Sequence, residues 1–293
     1  MFPHTLLRGG FMIQLVQGLL HRAGVHLARY PLRSEYENVL HDFLAGFGVG
    51  CVLDVGANVG RFGAALRRLG YGGRIDSFEP VAATCERLRA RAAGDPRWTA
   101  YRMALGAADG QAEMRTFPGH ENATLSRLGD FAREWLPSAL KDEGREMVPL
   151  RRLDSLLADG TLALDAPAFL KTDAEGFDWQ VVEGAGARID GFVGLQMEMM
   201  VQPMWPDAPG FGASVTRLAE MGFEPVAFQV ANRARFSAIV IDGLFRNARF
   251  APDPARAGEM WNAAGMGLAP QVWDHAEGAA PSSRDSAGAS WQE

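Results

Sequence analysis

The chain has 293 residues, 47% of them hydrophobic, enough apolar material for one large α/β domain with appendages or for two small domains. Its net charge of −6 argues against a surface built for nucleic acid. The two cysteines, Cys51 and Cys85, read as buried reduced thiols of a cytoplasmic protein. The six histidines (His4, His21, His26, His41, His120 and His275) show no metal-ligand spacing, so no zinc site is expected.

The first apolar stretch, "GGFMIQLVQGLL" (9–20), is too short to span a bilayer, carries Gln14 and Gln17, and lacks a small-residue cleavage signal. Residues 1–50 are expected to form a helical extension that packs on the main domain or on a second subunit. Within it, "SEYENVLHDFLAG" (34–46) has a serine cap and places Tyr36, Val39, Leu40 and Phe43 at helical spacing. Strands and helices then alternate: strand 51–55, helix 59–69, strand 74–79, helix 81–93 and strand 98–105. Short apolar strands separated by helices of about ten residues indicate a parallel sheet covered on both faces.

The stretch 106–166 interrupts this alternation with two extra strands, 109–117 and 146–152, around a polar loop and a helix. It is expected to cover a substrate site. The sheet resumes with strand 167–173, helix 177–186, strand 192–199 and helix 213–222, and it closes with a hairpin of 224–230 and 236–242. From 250 to 293 the chain is rich in Ala, Gly, Pro and Ser, and its end is expected to be disordered.

"VLDVGANVG" (52–60) runs an apolar strand into a turn holding Gly56 and Gly60. Ligands of open parallel sheets bind at the carboxyl ends of the strands, and glycine admits tight turns and close backbone approach. Glu79 ends the next strand, 19 residues after Gly60, where a carboxylate can accept hydrogen bonds from both ribose hydroxyls. The turn has neither the G-x-G-x-x-G pattern of a nicotinamide-dependent oxidoreductase nor a phosphate loop. A nucleoside without phosphate fits better, and S-adenosylmethionine is the common one. Asp54 would orient the turn or reach the ligand's ammonium. Ala57, Asn58, Pro80 and Ala104 complete the expected cofactor contacts.

Six segments, "DVGANVG" (54–60), "SFEP" (77–80), "MALG" with "DG" (103–106 and 109–110), "LDSLL" (153–157), "LKTDAEGFDWQVVEGA" (170–185) and "DGLFRN" (242–247), resemble the FkbM family of S-adenosylmethionine-dependent methyltransferases. They span about residues 52–247. The resemblance implies a Rossmann-like class I methyltransferase fold over 51–249. Its seven-stranded sheet would be mostly parallel, with an antiparallel last strand and an insertion between the third and fourth strands. It also implies methylation of an oxygen on a small acceptor such as a sugar, glycolipid or secondary metabolite. A non-catalytic protein that keeps the fold and acts by association is the alternative.

In "LKTDAEG", Lys171, Asp173 and Glu175 alternate at the end of an apolar strand. Only two of the 29 basic residues are lysines, which suggests that Lys171 answers a need for a compact amine. A neutral alcohol attacks better when a base takes its proton. Asp173 is the first candidate and Glu175 the second, with Lys171 orienting the acid or, if neutral, serving as base. Glu198 is expected to face the same crevice, and with Asp173 and Glu175 it offers oxygens for Mg²⁺ as another possibility. In the insertion, His120, Asn122, Thr124 and Ser126 are candidates for binding acceptor hydroxyls. No nucleic-acid partner and no integral membrane segment are expected, while the first apolar stretch suggests a homo-oligomer.

Overall fold

The computed structural model describes residues 34–117, 123–135, 144–253 and 255. The expected helix in the first apolar stretch, the terminal tail, His120 and Asn122 lie outside them. Helix α1 (Glu35–Gly46) starts at a capping box in which Ser34 and Glu37 each accept the other's backbone N–H, satisfying donors the first helical turn leaves open.

A seven-stranded sheet follows, with order β10-β11-β9-β8-β1-β2-β3. Its strands are β1 (Cys51–Val55), β2 (Arg74–Phe78), β3 (Trp98–Tyr101), β8 (Ala168–Thr172), β9 (Phe192–Met200), β10 (Phe223–Ala234) and β11 (Ser237–Asn247). Only β11 runs against its neighbours. Successive side chains on the central strands enter opposite cores. Leu53, Val55 and Leu170 join one apolar cluster, with residues of α5 (Leu153–Ala158), α6 (Asp178–Ala185) and α7 (Phe211–Glu220). Val52 and Phe169 join the other, with residues of α1, α2 (Arg61–Arg68) and α3 (Ala82–Ala92). Cys51 and Cys85 are free and buried.

Between β3 and β8 the chain builds a second sheet of order β4-β7-β5-β6, from β4 (Ala104–Leu105), β5 (Gly110–Thr116), β6 (Ala123–Thr124) and β7 (Gly144–Arg151), with helix α4 (Asp130–Trp135). The expected strand 98–105 is therefore two. It breaks at Arg102–Met103, where the chain leaves the large sheet and Ala104 pairs with Leu150 instead. Leu128 and Ala132 pack with Met200, Trp205 and Val240, which fastens the insertion over the carboxyl end of the large sheet. No described helix is long and apolar enough to cross a membrane.

Candidate active site

Strand order reverses between β1 and β8, and a cavity of about 390 Å³ opens at their carboxyl ends. Such a crevice is where ligands of doubly wound sheets bind. Its floor is a polar row across the sheet: Ser77, Asp54, Lys171 and Gln196 are register partners on β2, β1, β8 and β9. The Trp98 indole N–H donates to Ser77 Oγ (3.0 Å), whose hydroxyl donates to Asp54 Oδ2 (3.1 Å). Lys171 Nζ lies 3.2 Å from both Asp54 Oδ1 and Asp173 Oδ2, and 5.5 Å above the Phe62 ring. Burial pulls the Lys171 ammonium down, but Asp173 and Asp54 outweigh it and hold it above its ordinary value.

The glycine turn wraps over the end of β2, with the Gly56 and Ala57 N–H groups both donating to the Phe78 carbonyl. Asn58 adopts a left-handed φ of 52°, and its N–H donates to Glu79 Oε2 at 3.0 Å. Val81 N–H donates to the other oxygen at 2.9 Å. Each oxygen thus keeps a lone pair for a further donor. Burial pushes Glu79 up to about 7, against those two backbone donors. Beside it Pro80, Met103, Ala104 and Leu105 supply an apolar wall. A buried carboxylate with spare acceptor capacity, next to an apolar wall and a turn without a phosphate cradle, fits the ribose and base of S-adenosylmethionine.

At the end of β8 the chain turns through Glu175 (φ 50°) and Gly176 (φ 85°) into α6. A non-glycine residue in this region costs about 1–3 kcal/mol and clusters at functional sites. The turn is held by the Thr124 hydroxyl, which donates to the Glu175 carbonyl (2.7 Å), and by Asp178 Oδ1, which accepts the Ala174 N–H (3.2 Å). Burial pushes Glu175 up to about 8, reinforced by Asp173 and Asp178. It likewise lifts Glu198 well above the usual carboxylate range and Asp242 to about 7, each with Asp173 adding to the effect.

Of the residues singled out in the sequence, Gly56, Ala57, Asn58, Glu79, Pro80, Ala104, Lys171, Asp173, Glu175 and Glu198 line this one cavity. Four others do not. Asp54 is wholly buried beneath it, its carboxylate taken up by Ser77 and Lys171. Gly60 backs onto Leu88 and Trp98, so its freedom serves packing between the turn and β3. The Thr124 hydroxyl is spent on Glu175 and on the Ser126 N–H it accepts (2.8 Å), so neither side chain lines the cavity; Ala123 and Leu125 do. Gln196, Asp242, Arg61, Phe62 and Phe177 line it without having been singled out. Among the described residues, no three His, Cys, Asp or Glu side chains are grouped to hold a metal ion.

Solved structures with a similar chain trace include the following three. An rRNA methylase from Streptococcus thermophilus is 10% identical, with 75% of this chain and 99% of that one covered and a TM-score of 0.38. The mitomycin 7-O-methyltransferase MmcR is 12% identical, covering 73% and 54%, with a TM-score of 0.37. A fibrillarin/Nop5p complex is 13% identical, covering 68% and 73%, with a TM-score of 0.36. No curated protein matches the chain. Residues 54–225, from the buried Asp54 through the turn after β8 and on to β10, match the methyltransferase FkbM domain, and the chain belongs to that family.

Proposed function

We propose that this protein transfers a methyl group from S-adenosylmethionine to a hydroxyl oxygen of a small acceptor. One observation carries the reading: Glu79, suited to a ribose, and Asp173, suited to a proton, line the same cavity on either side of the Gly56 turn. Bound there, the cofactor supplies an electrophilic methyl on its sulfonium, and the protein's part is chiefly alignment and proton removal. Met114 and Ala123 of the second sheet, and Leu125 just after it, also line the cavity, which favours a small acceptor over a polymer.

The roles of the three polar groups separate on charge. Lys171, held protonated between two carboxylates, orients Asp173 and is not the base. Glu175, pushed up by burial with Asp173 and Asp178 adding to the effect, is suited in its protonated form to donating a hydrogen bond to the acceptor. Asp173, whose side chain is 41% exposed, is left to take the hydroxyl proton as the new bond forms.

The test is incubation with methyl-labelled cofactor and an extract of the native organism, followed by identification of whatever gains the label. Label on a small hydroxylated molecule is expected. Asp173→Asn should slow the transfer by about 10²–10⁴-fold while cofactor affinity holds. No transfer to any small molecule would sink the reading, and an undiminished rate in Asp173→Asn would remove that residue from the role.

A further inference from the structure

We propose that the acceptor carries a protonated amine, held on the β9–β11 wall of the cavity by Gln196, Glu198 and Asp242. The assignment rests on the methyltransferase reading above and adds the chemical class of its substrate.

Strand β9 extends past the end of β8: Thr172, the last residue of β8, is opposite Met197, so Glu198 overhangs the crevice. Gln196 and Glu198 share a face of β9, and Glu198 lies directly opposite Asp242 on antiparallel β11. Like charges directly opposite in a sheet destabilise it. No ion pair joins either acid to a described basic residue, and Lys171 is engaged with Asp54 and Asp173. Gln196 is only 7% exposed and lines the cavity, yet its Oε1 has no hydrogen-bond partner. Glu198 Oε2 is buried without one too.

Three side chains therefore present acceptors on one wall, two of them acidic. The complementary group has several N–H donors, a positive charge and no acceptor of its own, which describes an ammonium. The wall is separated by β8 from the Gly56 turn on β1 and lies farther still from Glu79 after β2, so it borders the acceptor's half of the cavity. An ammonium seated there would return the acids, now lifted by burial, to their charged forms.

Calorimetry on the full chain loaded with S-adenosylhomocysteine tests this with matched probes: 2-aminoethanol against ethylene glycol, and glucosamine against N-acetylglucosamine. The amine of each pair should bind about tenfold tighter or more, the scale of one charge-assisted hydrogen bond. In the Glu198→Gln/Asp242→Asn double variant that preference should vanish, with S-adenosylmethionine affinity unchanged. Equal affinity within the pairs, no binding by any probe, or a preference that survives the double substitution overturns the proposal. So does a parallel loss of cofactor affinity, which would give the wall to the cofactor. Wild-type protein that fails to bind S-adenosylmethionine would instead bring down the methyltransferase reading itself.

Discussion

Asp54 and Lys171 face each other in register on β1 and β8, joined by a 3.2 Å ion pair that is almost entirely buried. Removing one partner of such a pair strands the other in a low-dielectric interior, whereas replacing both by neutral groups of similar volume is often harmless. Lys171→Met is therefore expected to cost about 3–5 kcal/mol in denaturant unfolding. Adding Asp54→Asn should restore much of that loss without restoring activity, because Asp173 would still lack its ammonium. If the single and double variants unfold at the same denaturant concentration, the pair is not coupled as described.

Glu79 gives cofactor binding a definite pH dependence. Burial pushes it up to about 7, and ribose hydroxyls donate to the ionised form, so binding selects the deprotonated protein. Affinity should rise with pH through 7, with the dissociation constant at pH 6 about tenfold weaker than at pH 8. Glu79→Gln should weaken binding by about 1.5–3 kcal/mol and flatten the profile. Wild-type affinity that is level from pH 6 to 8 would place the ribose elsewhere.

Much of the fold was legible because its signals are local. Apolar strands such as β1 and β8, the helices between strands and the glycine turn after β1 each show within a short window of sequence, and Glu79 follows at the end of the next strand. What escaped depends on contacts between distant segments. Gln196 in "LQMEM" gains its place in the polar row only once β9 is paired with β8, which sets it opposite Lys171. Asp242 acquires meaning only from its pairing with Glu198, 44 positions away, which no local pattern reveals. Thr124 and Ser126 differ in kind: their hydroxyl chemistry was evident, but only the fold shows the Thr124 hydroxyl bonded to the Glu175 carbonyl and to the Ser126 N–H. A pair of polar residues two apart in an otherwise apolar strand was the available hint for the β9 wall.

Gly56 tests how tightly the two cavity turns are joined. Its φ is +70°, and a Cβ there would sit 1.8 Å from the Asp173 backbone oxygen, an atom that no rotamer change can move. Gly56→Ala combines a left-handed backbone with overpacking and should cost about 2–5 kcal/mol. Because the displaced atoms belong to Asp173, activity should fall further than stability alone explains, even at temperatures where the variant stays folded. A variant with wild-type melting temperature and turnover would show that the turns move independently.

The Glu198–Asp242 wall should leave its mark on stability as well as on binding. Asp242 is raised by burial from 3.8 to about 7, so between those values the folded protein binds protons that the unfolded chain has released. Stability contributed by this site is accordingly greatest in acid and declines as pH climbs through that window. Asp242→Asn removes the titration and with it the charge that burial and Asp173 disfavour. It should raise stability at pH 8 by on the order of 1 kcal/mol, or about 2–4 °C in melting temperature, with the gain shrinking towards pH 4. A loss of stability at pH 8 would mean that the carboxylate has a favourable partner in the folded protein, and the surplus of acceptors on this wall would then be illusory.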